Sequence, residues 1–135
     1  MNIFESTSIP VLQEVIGFAQ ARHEVLVGNV ANLDTPGYQV RDLSVNTFQE
    51  RLREAIDARQ NQHEAISPGE ISRQRDAAMQ RVHDSMKTIL YHDGSDVGIE
   101  QQVLAISKNQ YLHNMAISVM TSQFRILQTA ISERV

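Results

Sequence analysis

Gly28-Asn29-Val30-Ala31-Asn32-Leu33-Asp34-Thr35-Pro36-Gly37-Tyr38 reads as a helix that is stopped and turned. Asn29 and Asn32 are three residues apart and share one face of a helix. Asp34 and Thr35 bond readily to nearby backbone, which favours leaving the helix. Thr35 precedes a proline, and the proline ring pushes it out of the α region. Pro36-Gly37 suits the two central positions of a type II turn: proline fixes φ, and glycine tolerates the positive φ that follows. Tyr38 restarts the chain with a ring that packs and a hydroxyl that needs a partner.

Upstream of this stop, Ser8 is a suitable N-cap and Pro10 is tolerated in a first turn. From there Ile9, Leu12, Ile16, Ala19, His23, Leu26, Val30 and Leu33 alternate steps of three and four. This is a heptad seam, broken at His23. Val11, Val15, Phe18 and Val25 widen it to a broad apolar face. A helix over this span is roughly 37 Å long.

Downstream, Tyr38 to Val45 reads as extended chain. Thr47-x-x-Glu50 matches a capping box and opens a helix with Phe48, Leu52, Ala55 and Ile56 on one edge, ending near Arg59. Residues 57–66 are polar and lack a period. Ser67-Pro68-Gly69-Glu70 is a second capping box, opening a helix to about Met86 that buries Ile71, Ala78 and Val82. Lys87 to His92 suits a short strand, and Asp93-Gly94-Ser95-Asp96 a turn.

The last element opens at Asp96 or Val97, with Glu100 placed to complement the helix dipole. Ile99, Val103, Ile106, Gln110, His113, Ile117, Met120, Phe124, Leu127 and Ile131 step four and three nearly to the C-terminus. Leu104, Leu112, Ala116, Val119, Ile126 and Ala130 add a second stripe, so this helix has more apolar surface than one neighbour would cover.

Two architectures share this pattern. One is a self-contained antiparallel bundle. The other is a pair of long terminal helices that assemble with further chains. The expected fold is mainly α. The N- and C-terminal helices pair as an antiparallel coiled-coil-like hairpin around a weakly ordered middle segment with short helices and a short strand. The expected organisation is 1–38 (assembly helix and turn), 39–97 (variable middle) and 98–135 (C-terminal assembly helix).

Composition narrows the function classes. The 135-residue chain is 41% hydrophobic and 5% aromatic, with no Trp. Long helices packed on partners need fewer aromatic anchors than a compact globule. The net charge of −4, with interspersed signs, argues against nucleic acid and against an anionic membrane surface. With no Cys, there is neither a disulfide nor a thiolate metal site. Met1-Asn2-Ile3-Phe4-Glu5 has no basic or apolar region of a Sec-type signal peptide, and no apolar run approaches a membrane span.

Chemistry is sparse. The five histidines, at 23, 63, 83, 92 and 113, form no metal-ligand cluster. Asp93, Ser95, Asp96 and Glu100 have the wrong spacing for a calcium loop. No phosphate loop and no nucleophile elbow is present. The expectation is no enzyme, no catalytic residue, no metal and no cofactor. His23 and His113 both fall on heptad seams. Each is either a solvated or satisfied histidine, or part of a polar layer, His23 with Gln110 or His113, that fixes register.

The run Asn29-x-x-Asn32-x-x-Thr35-Pro36-Gly37-Tyr38, between an N-terminal seam and a long C-terminal one, is far more specific than a Pro-Gly turn. It resembles the signature of the bacterial flagellar axial proteins. Within them the chain is most similar to the proximal subunits of the basal-body rod family. The short length fits, as does the continuation Gly37-Tyr38-Gln39-Val40-Arg41-Asp42. Asp93-Gly94-Ser95-Asp96-Val97-Gly98-Ile99-Glu100 resembles their Asp-Gly-Asn-x-Val-Asp entry to the last helix, departing from it at Ser95 and Gly98. The other short rod subunit, FlgC, carries a Ser-Arg-x-Tyr-Glu-Ala-Asn run that Ser107 to Asn114 lacks.

The resemblance implies a structural subunit of the rod, the shaft that transmits torque from motor to hook. It implies export through the flagellar type III apparatus and a place in the rod crossing the periplasm. Its implied partners are copies of itself, rod subunits of the FlgC, FlgF and FlgG type, FliE, and the MS ring and export gate. The assembly seams would be Ile9, Leu12, Ile16, Leu26 and Val30, with Ile99, Val103, Ile106, Ile117, Met120, Phe124, Leu127 and Ile131. The alternatives are a small soluble coiled-coil adaptor or chaperone, and another axial subunit such as FlgC.

Overall fold

Ser8 opens the first helix: its carbonyl accepts a hydrogen bond from the Leu12 amide at 3.0 Å. Helix α1 then runs Ile9–Ala31. In this computed structural model the described residues are 8–60, 76–84, 90–92 and 98–132. The second capping box at Ser67, the polar stretch from 61 on and the turn at 93–96 lie outside them. After α1 come strand β1 (Arg41–Leu43), helix α2 (Val45–Gln60), a helical stretch over residues 76–84 (α3), strand β2 (Leu90–His92) and helix α4 (Ile99–Ser132).

The chain divides into two compact units. One holds residues 1–31 and 97–135, and the other residues 32–96.

The first unit is a hairpin of α1 and α4. Two cross-helix hydrogen bonds, Asn29 to Gln102 and Asn109 to Ala19, run in opposite sequence directions, so the helices are antiparallel. Phe18, Ala19 and Leu26 of α1 are buried, as is Ala116 of α4. Burial of Phe18 and Leu26 contributes roughly 1.5–3 kcal/mol each. The small side chain of Ala19 lets the helices approach closely enough for Asn109 to reach its backbone carbonyl at 2.7 Å. The fold is thus mainly α, with the long terminal helices packed on each other.

The 34 residues of α4 exceed the 23 of α1. With Ala19 level with Asn109, Ile9 lies near the level of Val119. The last turns of α4 therefore run about 20 Å past the described start of α1.

In the second unit, the turn forms as its residues dictate. The Thr35 amide donates to the Asn32 carbonyl and the Tyr38 amide to the Thr35 carbonyl. Pro36-Gly37 therefore occupies the centre of a tight turn, and Gly37 has the positive φ of 77° that a type II turn needs there. These bonds take over at Asn32, so α1 ends at Ala31, two residues before the end of its apolar seam at Leu33.

The cap of α2 differs from the Thr47 expectation. Ser44 is the N-cap: its Oγ accepts from the Thr47 amide at 3.2 Å and lies 2.9 Å from the Thr47 hydroxyl. Thr47 takes the third helical position that a capping box gives to Glu or Gln, so the box sits three residues earlier than read. Strands β1 and β2 pair antiparallel, Asp42 opposite Tyr91. This unit buries Leu43, Phe48, Ala55, Ala78 and Val82.

Candidate assembly surface

An α4 with period 3.6 has several overlapping heptad stripes, and only one faces α1. Buried or half-buried positions on α4 include Gln102, Ile106, Asn109, His113, Ala116, Met120, Gln123 and Leu127, flanked by half-buried Ala105 and Leu112. This inward stripe shares Ile106, His113, Met120 and Leu127 with the apolar seam read from sequence. At every other step it is offset by one residue. Val103, Gln110, Ile117 and Phe124 give way to Gln102, Asn109, Ala116 and Gln123.

The reason lies in the polar groups. Asn29 is fully buried on α1, and its Nδ2 donates to Gln102 Oε1 at 3.3 Å. Asn109 is also buried and donates to Ala19 O. A buried amide left without a partner costs about 1–3 kcal/mol, so turning Gln102 inward to meet the buried Asn29 outweighs the apolar alternative. Asparagine at a seam position also fixes the register of paired helices.

The consequence is an apolar surface on the outside. Ile99, Val103, Ile117, Phe124 and Ile131 are 42–64% exposed, at steps that follow the heptad. Leu104, Met115, Val119 and Ile126 are exposed as well. Helix α4 carries only Glu100, Lys108 and Arg125 as charged residues among its 34. On α1, of the sequence-read seam, Ile9 and Leu26 are buried and Leu12, Ile16 and Val30 half-buried.

The polar layer proposed for His23 does not form. His23 is exposed, and no hydrogen bond joins it to Gln110 or His113. The register-fixing bonds sit instead at Asn29–Gln102 and Asn109–Ala19. The three residues do line one cleft of about 530 Å³ between α1 and α4, together with Gln20, Glu24 and Asn109. Two buried atoms there lack a partner: Asn109 Oδ1 and His113 Nε2.

The signature residues lie on both sides of the helix end. Asn29 is buried in the hairpin, and Asn32, Thr35, Pro36 and Gly37 make the turn. Tyr38 is half-buried, with the Arg41 guanidinium 5.8 Å above its ring centroid. Gln102, Asn109 and Ser44 were missed in the sequence. Their signal was a stripe of Gln, Asn, Ala and Gln at steps of seven, and a serine just before an apolar edge.

Among the described residues no group of acidic or histidine side chains has a metal-binding arrangement, and no helix is long and apolar enough to cross a membrane.

No protein-family model matches the chain. Curated relatives do match, over most of its length. The chain is 20% identical over 132 residues to the flagellar basal body rod protein FlgB of Bacillus subtilis, covering 98% of each. It is 27% identical over 120 residues to FlgB of Salmonella typhimurium, covering 84% of each. FlgB of Borrelia hermsii is 24% identical over 139 residues, covering 97% of this chain and 99% of its own. Matches to FlgB from diverse bacteria, over most of the chain, support a flagellar basal-body rod protein of the FlgB type. A rod protein of this type is a structural subunit and not an enzyme, and this reading is favoured over the adaptor and FlgC alternatives. The exposed stripe on α4 is then a surface of a FlgB-type subunit, a protein whose relatives are named for the rod.

Proposed function

We propose that this chain is a building block of the proximal rod and that the α1–α4 hairpin is its assembling part. The observation that carries this reading is the outward apolar stripe of Ile99, Val103, Ile117, Phe124 and Ile131. A helix of a self-sufficient bundle turns its most apolar stripe inward. Here Gln102, Asn109, Ala116 and Gln123 take alternate positions of the inward stripe, and the apolar Val103, Ile117 and Phe124 are left for neighbours. Sealing each such side chain between subunits contributes roughly 1.5–3 kcal/mol, and only in the assembled state.

The neighbours are copies of this chain and rod subunits of the FlgC, FlgF and FlgG type. FliE, the MS ring and the export gate lie at the inner end. The subunit reaches its place through the flagellar type III apparatus, and the rod it joins crosses the periplasm and transmits torque to the hook. In this reading 1–38 and 98–135 are the assembly segments and 39–97 the variable middle. Ile106, Met120 and Leu127, on the inward stripe and only half-buried, border the outward surface. The test is localisation of the epitope-labelled chain in purified basal bodies. It should co-purify with the rod, and its absence from rods of motile cells would overturn the reading.

A further inference from the structure

The cleft between α1 and α4 has a chemistry that the hairpin itself does not satisfy. Asn109 Nδ2 is committed to the Ala19 carbonyl, which fixes the amide's orientation and leaves Oδ1 as an acceptor. That oxygen is buried and has no donor. Around it lie the side-chain amides of Gln20 and Gln110, the carboxylate of Glu24 and the imidazoles of His23 and His113. Among the described residues no lysine or arginine lines the cleft, and none forms an ion pair with Glu24. A site rich in acceptors, with one formal negative charge and room well beyond a single water, suits a guanidinium group, whose planar fork offers five donors.

We propose that this cleft receives Arg125 of a second copy of the chain, set parallel and displaced two heptads, about 21 Å, along the α4 axis. The proposal deepens the rod-subunit reading and rests on it. Arg125 is exposed and has no ion pair among the described residues. It lies in the part of α4 that runs past the described start of α1. A displacement of two heptads keeps the outward stripe in register with itself. It brings Ile131 level with Ile117, and Ile117 level with Val103. Phe124 then falls level with Gln110, the one polar interruption of the stripe, at the mouth of the cleft. Arg125 falls level with Tyr111, which is 71% exposed and offers a ring face to a guanidinium. The same displacement thus matches apolar to apolar and cation to acceptor cleft.

The test uses Arg125→Glu, Glu24→Arg and the double variant, each as the sole copy of the full-length chain in cells. Its incorporation is measured by quantitative immunoblotting of purified basal bodies. Both side chains are exposed, so the hairpin core is untouched. Each single variant should incorporate about tenfold less than wild type, and the double variant should recover most of that loss, as exchanged charges across an interface do. Arg125→Glu at the wild-type level, or a double variant no better than its parents, would overturn the cleft proposal while leaving the rod reading intact. Wild-type chain absent from the rods would instead remove the rod reading, and this proposal with it.

Discussion

Asn29 and Gln102, 73 positions apart in sequence, meet inside the hairpin, where the Asn29 amide donates to Gln102 Oε1 at 3.3 Å with both residues buried. One residue of the signature run is therefore an internal pairing group, placed two residues before the end of α1. Buried polar pairs of this kind contribute little net stability and define which register is native.

The pair sets a first prediction. Asn29→Leu alone should destabilise the hairpin by about 1–3 kcal/mol, because Gln102 is left buried without this partner. Joining it to Gln102→Leu should recover part of that loss. A double-mutant cycle by urea unfolding measures the coupling. The double variant should also lose register. Since the chain has no Cys, cysteine pairs placed at matched and shifted positions report this cleanly by cross-linking yield. Equal additivity of the two single effects would mean that the bond adds nothing.

Gly37 gives the second prediction. A Cβ there meets nothing within 4 Å, so the cost of a side chain is the backbone conformation alone. Gly37→Val forces a β-branched residue to a φ of 77°, at a cost of roughly 1–3 kcal/mol. The variant should express normally yet give shortened rods and poor swimming. Gly37→Asn, which tolerates this region better, should restore most motility. Normal rods in the valine variant would show that the turn is dispensable.

How far these features were legible depended on how many readings one pattern allowed. The turn at Pro36-Gly37 was legible because few residues accept its dihedral angles. The existence of α1 and α4 was legible because each carries a heptad over many turns. The inward stripe of α4 was not. Neighbouring heptad stripes share every second position, and hydropathy favours Val103, Ile117 and Phe124 over Gln102, Ala116 and Gln123. The choice was made by the buried amide of Asn29, whose partner Gln102 lies on the other helix and leaves no local trace. The Asn109 cleft was hidden for the same reason: its walls come from segments about 90 positions apart.

Ser44 supplies a third prediction. Its hydroxyl serves both the amide and the side chain of Thr47, and its carbonyl accepts from the Phe48 amide. Ser44→Ala removes the cap and should cost about 1 kcal/mol, whereas Ser44→Asp should be close to neutral. Helicity lost on urea titration distinguishes the two. Glu50, the acidic member of the capping box read from sequence, should tolerate Glu50→Ala with almost no change.

Phe124 separates assembly from self-contained folding. Its side chain is 46% exposed, and it sits on the outward stripe, where α4 runs past the described start of α1. In a bundle that closed over this residue, Phe124→Asp would bury an unpaired carboxylate or open the fold, and the melting temperature would collapse. Half exposed as it is, the introduced carboxylate stays in water. The isolated chain should melt within a few degrees of wild type, since an exposed substitution changes stability by about 0.5 kcal/mol or less. Incorporation into rods should fail, because the same charge would have to be desolvated against the apolar stripe of a neighbour. Thermal unfolding of the purified variant beside wild type, with basal bodies from cells carrying each, gives both answers. Ala116→Asp is the matched control: Ala116 is buried on the inward stripe, so that change should unfold the hairpin itself. A large loss of stability for Phe124→Asp, equal to that of the control, would return Phe124 to the core and remove the outward stripe as an assembly surface.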